Sequence, residues 1–185
     1  TKNLTNYPPA SGLLTLRKSV SNEIKNRWNL DYSTNQILVA GGSRPLIYAC
    51  FKTIVDEGDK VIYPIPSWNN NHYAYLTSAN KIEVQTSAEN NFLPTAEDLK
   101  PHLKGAVLFA LCSPLNPTGT MFSKNQLSEI CELVLEENKL RGENEKPLYV
   151  MYDQIYSNLT FGEEHFNPVS LFPEMAKFTI FIDGI

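Results

Sequence analysis

Leu148-Tyr149-Val150-Met151-Tyr152-Asp153-Gln154-Ile155-Tyr156 is the stretch on which the reading of this chain turns. It opens as an apolar, β-branched and aromatic run, the composition of a strand covered on both faces. A carboxylate, Asp153, stands where that run ends, and a phenol, Tyr156, follows three residues later. In open α/β sheets ligands sit outside the carboxyl ends of strands, so an acid emerging there points into the crevice. A lone Asp after a strand also serves as a plain turn cap. What accompanies Asp153 elsewhere separates the two readings.

Upstream, Gly105–Leu111 is a second near-continuous apolar strand, and it runs into Cys112-Ser113-Pro114-Leu115-Asn116-Pro117-Thr118-Gly119. Ser123 and Gln126 have capping-box spacing, and Leu127, Ile130, Cys131, Val134 and Leu135 form a helix stripe behind them. Further back, Lys60–Tyr63 and Lys81–Gln85 read as strands, with a polar-aromatic helix over Asn69–Thr77 between them. Thr95 caps a short helix through Leu103, and Phe178–Asp183 is a last buried strand. Near the start, the loop Tyr7–Gly12 precedes a helix whose stripe is Leu13, Leu16, Val20, Ile24 and Trp28. Asn29 and Asp31 end it. Gln36–Ala40 reads as a short strand, and Gly41-Gly42-Ser43 turns it into a helix with Ser43 as N-cap and Pro45 in the first turn. Strand and helix alternate throughout, which predicts an α/β fold of three α/β/α layers around a mainly parallel sheet. Residues 1–30 are expected to form an N-terminal loop and amphipathic helix, and residues 31–185 the larger domain.

The 185 residues are 42% hydrophobic and 19% charged, a globular balance. Sixteen basic and twenty acidic side chains give a net charge of -4, and no Lys/Arg cluster marks a nucleic-acid footprint. Cys50, Cys112 and Cys131 lie in apolar segments and read as reduced thiols, which points to the cytoplasm. His72, His102 and His165 lack metal-ligand spacing, so no metal site is expected. No apolar run is long enough to span a membrane. The polar lead-in Thr1–Asn6 and the strand that stops near Ile185 give the expectation of a segment of a longer protein.

Three strand-exit loops carry chemistry together. Gly41-Gly42-Ser43-Arg44 offers backbone N–H groups at a helix N-terminus, an arrangement that favours a phosphate. Alone, it is also an ordinary tight turn. In the second loop two prolines and a glycine fix the Asn116 amide, which otherwise reads as a structural Asx turn. The third carries Asp153 and Tyr156. A phosphate cradle, a fixed amide, a carboxylate and a phenol suit a phosphorylated aromatic heterocycle. Trp68, after another strand, either stacks on that ring or packs in an interface.

The chain resembles the pyridoxal-phosphate enzymes of the aspartate aminotransferase superfamily, class I/II, fold type I. The likeness runs from Tyr7 to Ile185 and rests on motifs in order: Tyr7-Pro8-Pro9 through Gly12 with Leu16-Arg17, Gly42-Ser43-Arg44, Asp56–Val61, Pro66-Ser67-Trp68, Ser113–Gly119 and Tyr152–Tyr156. The resemblance implies that the larger domain is the family's cofactor-binding domain, incomplete at its C-terminal end. It implies that Gly42, Ser43 and Arg44 bind the cofactor phosphate and that Trp68 covers the pyridine ring. Asn116 and Tyr156 match the partners of the ring's phenolic oxygen, and Asp153 the partner of its nitrogen. Tyr7 matches a tyrosine that reaches the phosphate of the neighbouring subunit, so a homodimer is implied. The implied reaction moves an amino group from an amino acid to a 2-oxo acid. Gln154 stands where the family usually has Glu, and Leu115 replaces a commoner polar residue, a change that bears on substrate preference. The family's Schiff-base lysine is expected just after Ile185, no lysine here fits that role, and the segment alone is expected to be inactive. Two other functions share these motifs: a lyase or synthase of the same superfamily, and an aminotransferase-like effector domain of a transcription regulator.

Overall fold

The computed structural model describes residues 6–142 and 144–184. The expectations for the lead-in before Asn6 and for the chain end at Ile185 lie outside the described residues. The chain divides into two compact units, Thr1–Gly42 and Ser43–Ile185.

In the first unit α1 spans Leu14–Trp28, with Lys25 and Arg27 in its last turn. Those cations suit the carbonyl end of a helix. Asn29 stops the helix as expected, in the left-handed conformation (φ 55°), with its N–H donating to Lys25 O. None of α1's residues is buried, so its apolar stripe stays at least partly exposed. Arg17 fastens the unit: its guanidinium donates to the carbonyls of Gly12 and Thr34. Gly12 lies at φ +90°, and a Cβ there would come within 2.8 Å of Val39 Cβ.

The strand expected at Gln36–Ala40 does not form. Thr34–Gln36 is instead a 3-10 turn, held by a reciprocal Ser33–Gln36 capping box. Residues 37–40 belong to no strand, and a single bond, Val39 N–H to Ser11 O at 3.1 Å, takes the place of a ladder. The apolar run Ile37–Val39 was a correct sign of an interior face at Ile37, which is buried, and a wrong sign of sheet pairing.

In the second unit five strands form one sheet in the order β2-β1-β3-β4-β5: β1 Lys60–Ile65, β2 Asn80–Gln85, β3 Ala106–Cys112, β4 Tyr149–Asp153 and β5 Thr179–Ile182. All four neighbouring pairs are parallel. Chain order reverses direction between β1 and β3, which makes their carboxyl ends the topological switch point, where open α/β sheets take ligands. The register sets Cys112 beside Asp153 and Asp153 beside Ile182, so three strands end level.

One helix precedes the sheet, α2 Ser43–Ile54, and four lie between its successive strands: α3 Asn70–Leu76, α4 Ala96–Leu99, α5 Lys124–Leu140 and α6 Pro168–Leu171. Ser43 is the first helical residue of α2 and not its N-cap. Gly42, at φ +122°, makes the turn itself, a conformation that L side chains rarely adopt. Pro45 is accommodated as expected, in a first turn whose N–H groups have no helical acceptor. Thr95–Asp98 and Ser123–Gln126 both close as reciprocal capping boxes. Ile47 and Phe51 of α2 and Tyr73 and Ala74 of α3 pack in one cluster with Val61, Tyr63, Leu108, Ala110 and Met151 of the sheet. Residues of opposite parity, Phe109, Val150 and Tyr152, point to the other face. There α5 buries Leu127, Ile130, Cys131 and Val134, and burial raises the Tyr152 hydroxyl well above the usual phenol range. Asn138 of α5 clasps the backbone of Leu148 in both directions, at 3.0 and 2.7 Å, and so positions the start of β4.

Candidate functional site

At the switch point lies a pocket of about 190 Å³. Its walls come from the first turn of α2, the loop after β1 and the exits of β3 and β4. Six of the eight residues singled out in the sequence line it: Ser43, Arg44, Trp68, Asn116, Asp153 and Tyr156. The other two, Tyr7 and Gly42, belong to the first unit, and Tyr7 is fully exposed.

The loop after β3 is fixed by its own backbone. Ser113 N–H donates to Asp153 O at 2.9 Å, Leu115 N–H to Thr120 O at 2.8 Å, and Gly119 N–H to Leu115 O at 2.6 Å. Gly119 sits at φ +74°, and the Thr118 and Thr120 hydroxyls meet at 2.7 Å. Leu115 is buried and is not among the residues lining the pocket, so its side chain anchors the loop in the core. From this platform Asn116 Nδ2 donates to Tyr156 Oη at 3.2 Å. The bond joins two strand exits forty positions apart.

Asp153 is half-buried at the end of β4. Burial pushes its carboxyl up to about 6, against the pull of the Ile155 N–H, which donates to Oδ1 at 3.1 Å; the nearby Asp183 charge pushes it further up. Tyr73 is also raised, by burial, with Arg44 lowering it and Asp153 raising it. Arg44 Cζ lies 5.7 Å from the centre of the Trp68 ring, a cation–π distance. Trp68 is 48% exposed, so one broad apolar surface is left open rather than spent in the core.

Two further polar residues line the pocket unforeseen. Cys112 ends β3, its thiol donating to Pro114 O at 3.2 Å and pushed up to about 12, chiefly by burial. Its place follows from the β3–β4 register, which pairs it with Asp153; knowing that adjacency would have found it. Asn70, only 7% exposed, donates to Ser67 Oγ at 3.3 Å. The run Asn69-Asn70-Asn71 carries no signal to say which of the three turns inward.

Chemically, the pocket offers a carboxylate for a cationic nitrogen, an amide–phenol pair for an anionic oxygen and an aromatic face. It also offers an anion position where a helix begins beside a guanidinium.

The family profile described as aminotransferase class I and II matches residues 1–182. The chain is 32% identical over 184 residues to an aspartate aminotransferase of Bacillus sp. (strain YM-2), covering 98% of this chain and 45% of that protein. It is 31% identical to the aspartate aminotransferase of Bacillus subtilis (strain 168), covering 98% and 44%. Among solved structures, an aromatic aminotransferase from Pyrococcus horikoshii OT3 superposes with a TM-score of 0.88 at 26% identity, over 99% of this chain and 47% of that one. The chain thus spans about half the length of the curated relatives it matches. A family profile that covers nearly every residue, on a fold that superposes on a solved aminotransferase, leads to one conclusion: the chain belongs to the class I and II aminotransferases.

Proposed function

We propose that the whole protein is a pyridoxal-phosphate-dependent aminotransferase that moves an amino group from an amino acid to a 2-oxo acid, and that this chain seats the cofactor. Members of the family use pyridoxal phosphate. The donor set fits that group: one carboxylate, one amide–phenol pair, one open indole and one helix start with an arginine all line a single pocket. The observation that carries the reading is Asp153, a half-buried carboxylate that shares its pocket with the bonded Asn116–Tyr156 pair.

In this reading Asp153 holds a proton on the pyridine nitrogen, because a carboxylate in a site partly shielded from water strongly favours a cation beside it. Asn116 Nδ2 and Tyr156 Oη hold the ring's phenolic oxygen. Trp68 covers a ring face and keeps water from it. Ser43 and Arg44, with Gly42 before them, take the phosphate at the start of α2. When bound, the protonated ring supplies an electron sink for bonds broken at the amino-acid Cα.

We further infer a cytoplasmic homodimer in which Tyr7 reaches the phosphate held by its partner. The full exposure of Tyr7 supports this, as do three cysteines that all remain free thiols. No helix among the described residues is long and apolar enough to cross a membrane. The named relatives are aminotransferases, which favours transamination over a lyase, a synthase or an effector-domain role.

The test is to add pyridoxal phosphate to the apo whole protein, then an amino acid and a 2-oxo acid, and to follow absorbance and the new amino acid by chromatography. Stoichiometric cofactor binding with amino-group exchange is expected. Binding with ammonia release in place of exchange would move the reading to a lyase, and no binding would end it.

A further inference from the structure

Beside the pocket, the exits of β4 and β5 are tied by a pair of side chains, Gln154 and Asp183, neither of which lines it. Gln154 is 1% exposed, and its Nε2 donates to Asp183 Oδ2 at 2.8 Å. The direction is fixed by chemistry: a carboxylate offers only acceptors, so the amide must present its NH2 group there. That leaves Gln154 Oε1 towards His165 Nε2, at 3.4 Å. The backbone repeats the tie, with Gln154 N–H donating to Ile182 O at 2.8 Å. Asp183 Oδ1 in turn accepts from Gly184 N–H at 2.8 Å. The two carboxylates on these neighbouring strand ends feel each other, for the Asp183 charge raises Asp153.

A neutral amide at position 154 therefore decides how many negative charges crowd the end of β4. A glutamate there would set a carboxylate against Asp183 at hydrogen-bond distance. Two acceptors cannot bond, so they would have to share a proton or repel. Around Asp153, Cys112 of β3 stays a thiol and Tyr73 of α3 stays a neutral phenol. Arg44 of α2 is the nearby cation acting on Tyr73, and it already stands over Trp68. His165 faces the far side of the amide.

From this arrangement we infer that Gln154 is a positioning residue: its amide holds Asp183 so that one carboxylate, and not two, stands behind Asp153, and it fastens the β5 exit to the β4 exit. The inference rests on the functional reading above, since it makes Gln154 and Asp183 set the field felt by a cofactor at Asp153. Gly184, the residue after Asp183, lies close to one wall of the pocket. A Cβ on it would fall 2.4 Å from Ile155 Cδ1, the far end of a flexible side chain that lines the pocket, so a larger residue there makes Ile155 change rotamer.

The experiment compares Gln154→Glu, Asp183→Asn and the double variant in the whole protein. The first readout is the pH midpoint of the bound cofactor's absorption change. Gln154→Glu adds a negative charge and should raise that midpoint by on the order of one pH unit, and Asp183→Asn should lower it. The double variant restores one acid and one amide with reversed polarity, and should return the midpoint to that of the unmodified protein. A tie that merely held the fold would restore stability without moving the midpoint in either single variant, so unmoved midpoints overturn the inference, as does a double variant that fails to recover. Should Gln154→Glu not fold, Asp183→Asn and the double variant carry the same test. If the unmodified protein binds no cofactor, the functional reading fails separately. Thermal unfolding of the apo variants then decides: Gln154→Glu should lose more stability at pH 8 than at pH 5 and regain it with Asp183→Asn, and a pH-independent loss overturns the inference.

Discussion

Asn116 Nδ2 and Tyr156 Oη meet at 3.2 Å, one side chain from the loop after β3 and the other from the loop after β4. Each fixes the other, and a pair held in place lowers the ordering cost of binding. Asn116→Ala removes one donor to the ligand oxygen and frees the phenol. The dissociation constant for pyridoxal phosphate should rise about tenfold, the loss of one neutral hydrogen bond. Titration of the apo whole protein by absorbance measures it, and an unchanged constant would take Asn116 out of the site.

The apo protein should also show a pH-dependent penalty at Asp153. Its carboxyl is raised by burial from 3.8 to about 6, so the folded state holds the proton longer than the unfolded one. Stability from this group is full below about pH 4 and is lost as pH rises to about 6. Asp153→Asn removes the titration. Apo Asp153→Asn should therefore gain stability relative to the parent across that window and keep the gain at pH 7, as chemical denaturation at several pH values would reveal. A difference that stays flat with pH would contradict the burial argument.

Much of this architecture was legible in the chain, for identifiable reasons. The strands β1, β3 and β4 announced themselves because buried parallel strands need unbroken apolar runs, and Ala106–Cys112 and Tyr149–Tyr152 have little else. Caps were legible where a side chain closes on its own backbone, as at Thr95 and Ser123. Ile37–Ala40 misled because an apolar run reports burial, while a strand also needs a neighbour to pair with. The site residues at strand exits could be named from loop chemistry. Cys112 and the Gln154–Asp183 tie could not, since each depends on which strands lie side by side, and Asn70 could not because its two asparagine neighbours look the same in sequence.

Gly12 tests the first unit by itself. At φ +90° a side chain costs about 1–2 kcal/mol in backbone strain, and its Cβ would also press on Val39 at 2.8 Å. Gly12→Ala should destabilise by about 2 kcal/mol or more and lower the melting temperature of the whole protein by several degrees. An unchanged melting curve would mean that the Ser11–Val39 contact is not formed in solution.

The central claim is that Asp153 serves chemistry and is more than a cap for the turn after β4. Asp153→Asn keeps the size of the side chain and an acceptor for the Ile155 N–H, and removes only the charge. Without that charge the ring nitrogen should lose its proton, and the electron sink with it. The sink is needed most in the transition state, so the loss should fall on kcat, by a factor on the order of a hundred or more, with the fold intact. The measurement is kcat for transamination by the whole protein with and without Asp153→Asn, at matched cofactor saturation and with folding checked by circular dichroism. The account predicts a folded, cofactor-loaded variant with kcat down at least about a hundredfold. A folded variant that transaminates near the parent rate would contradict it.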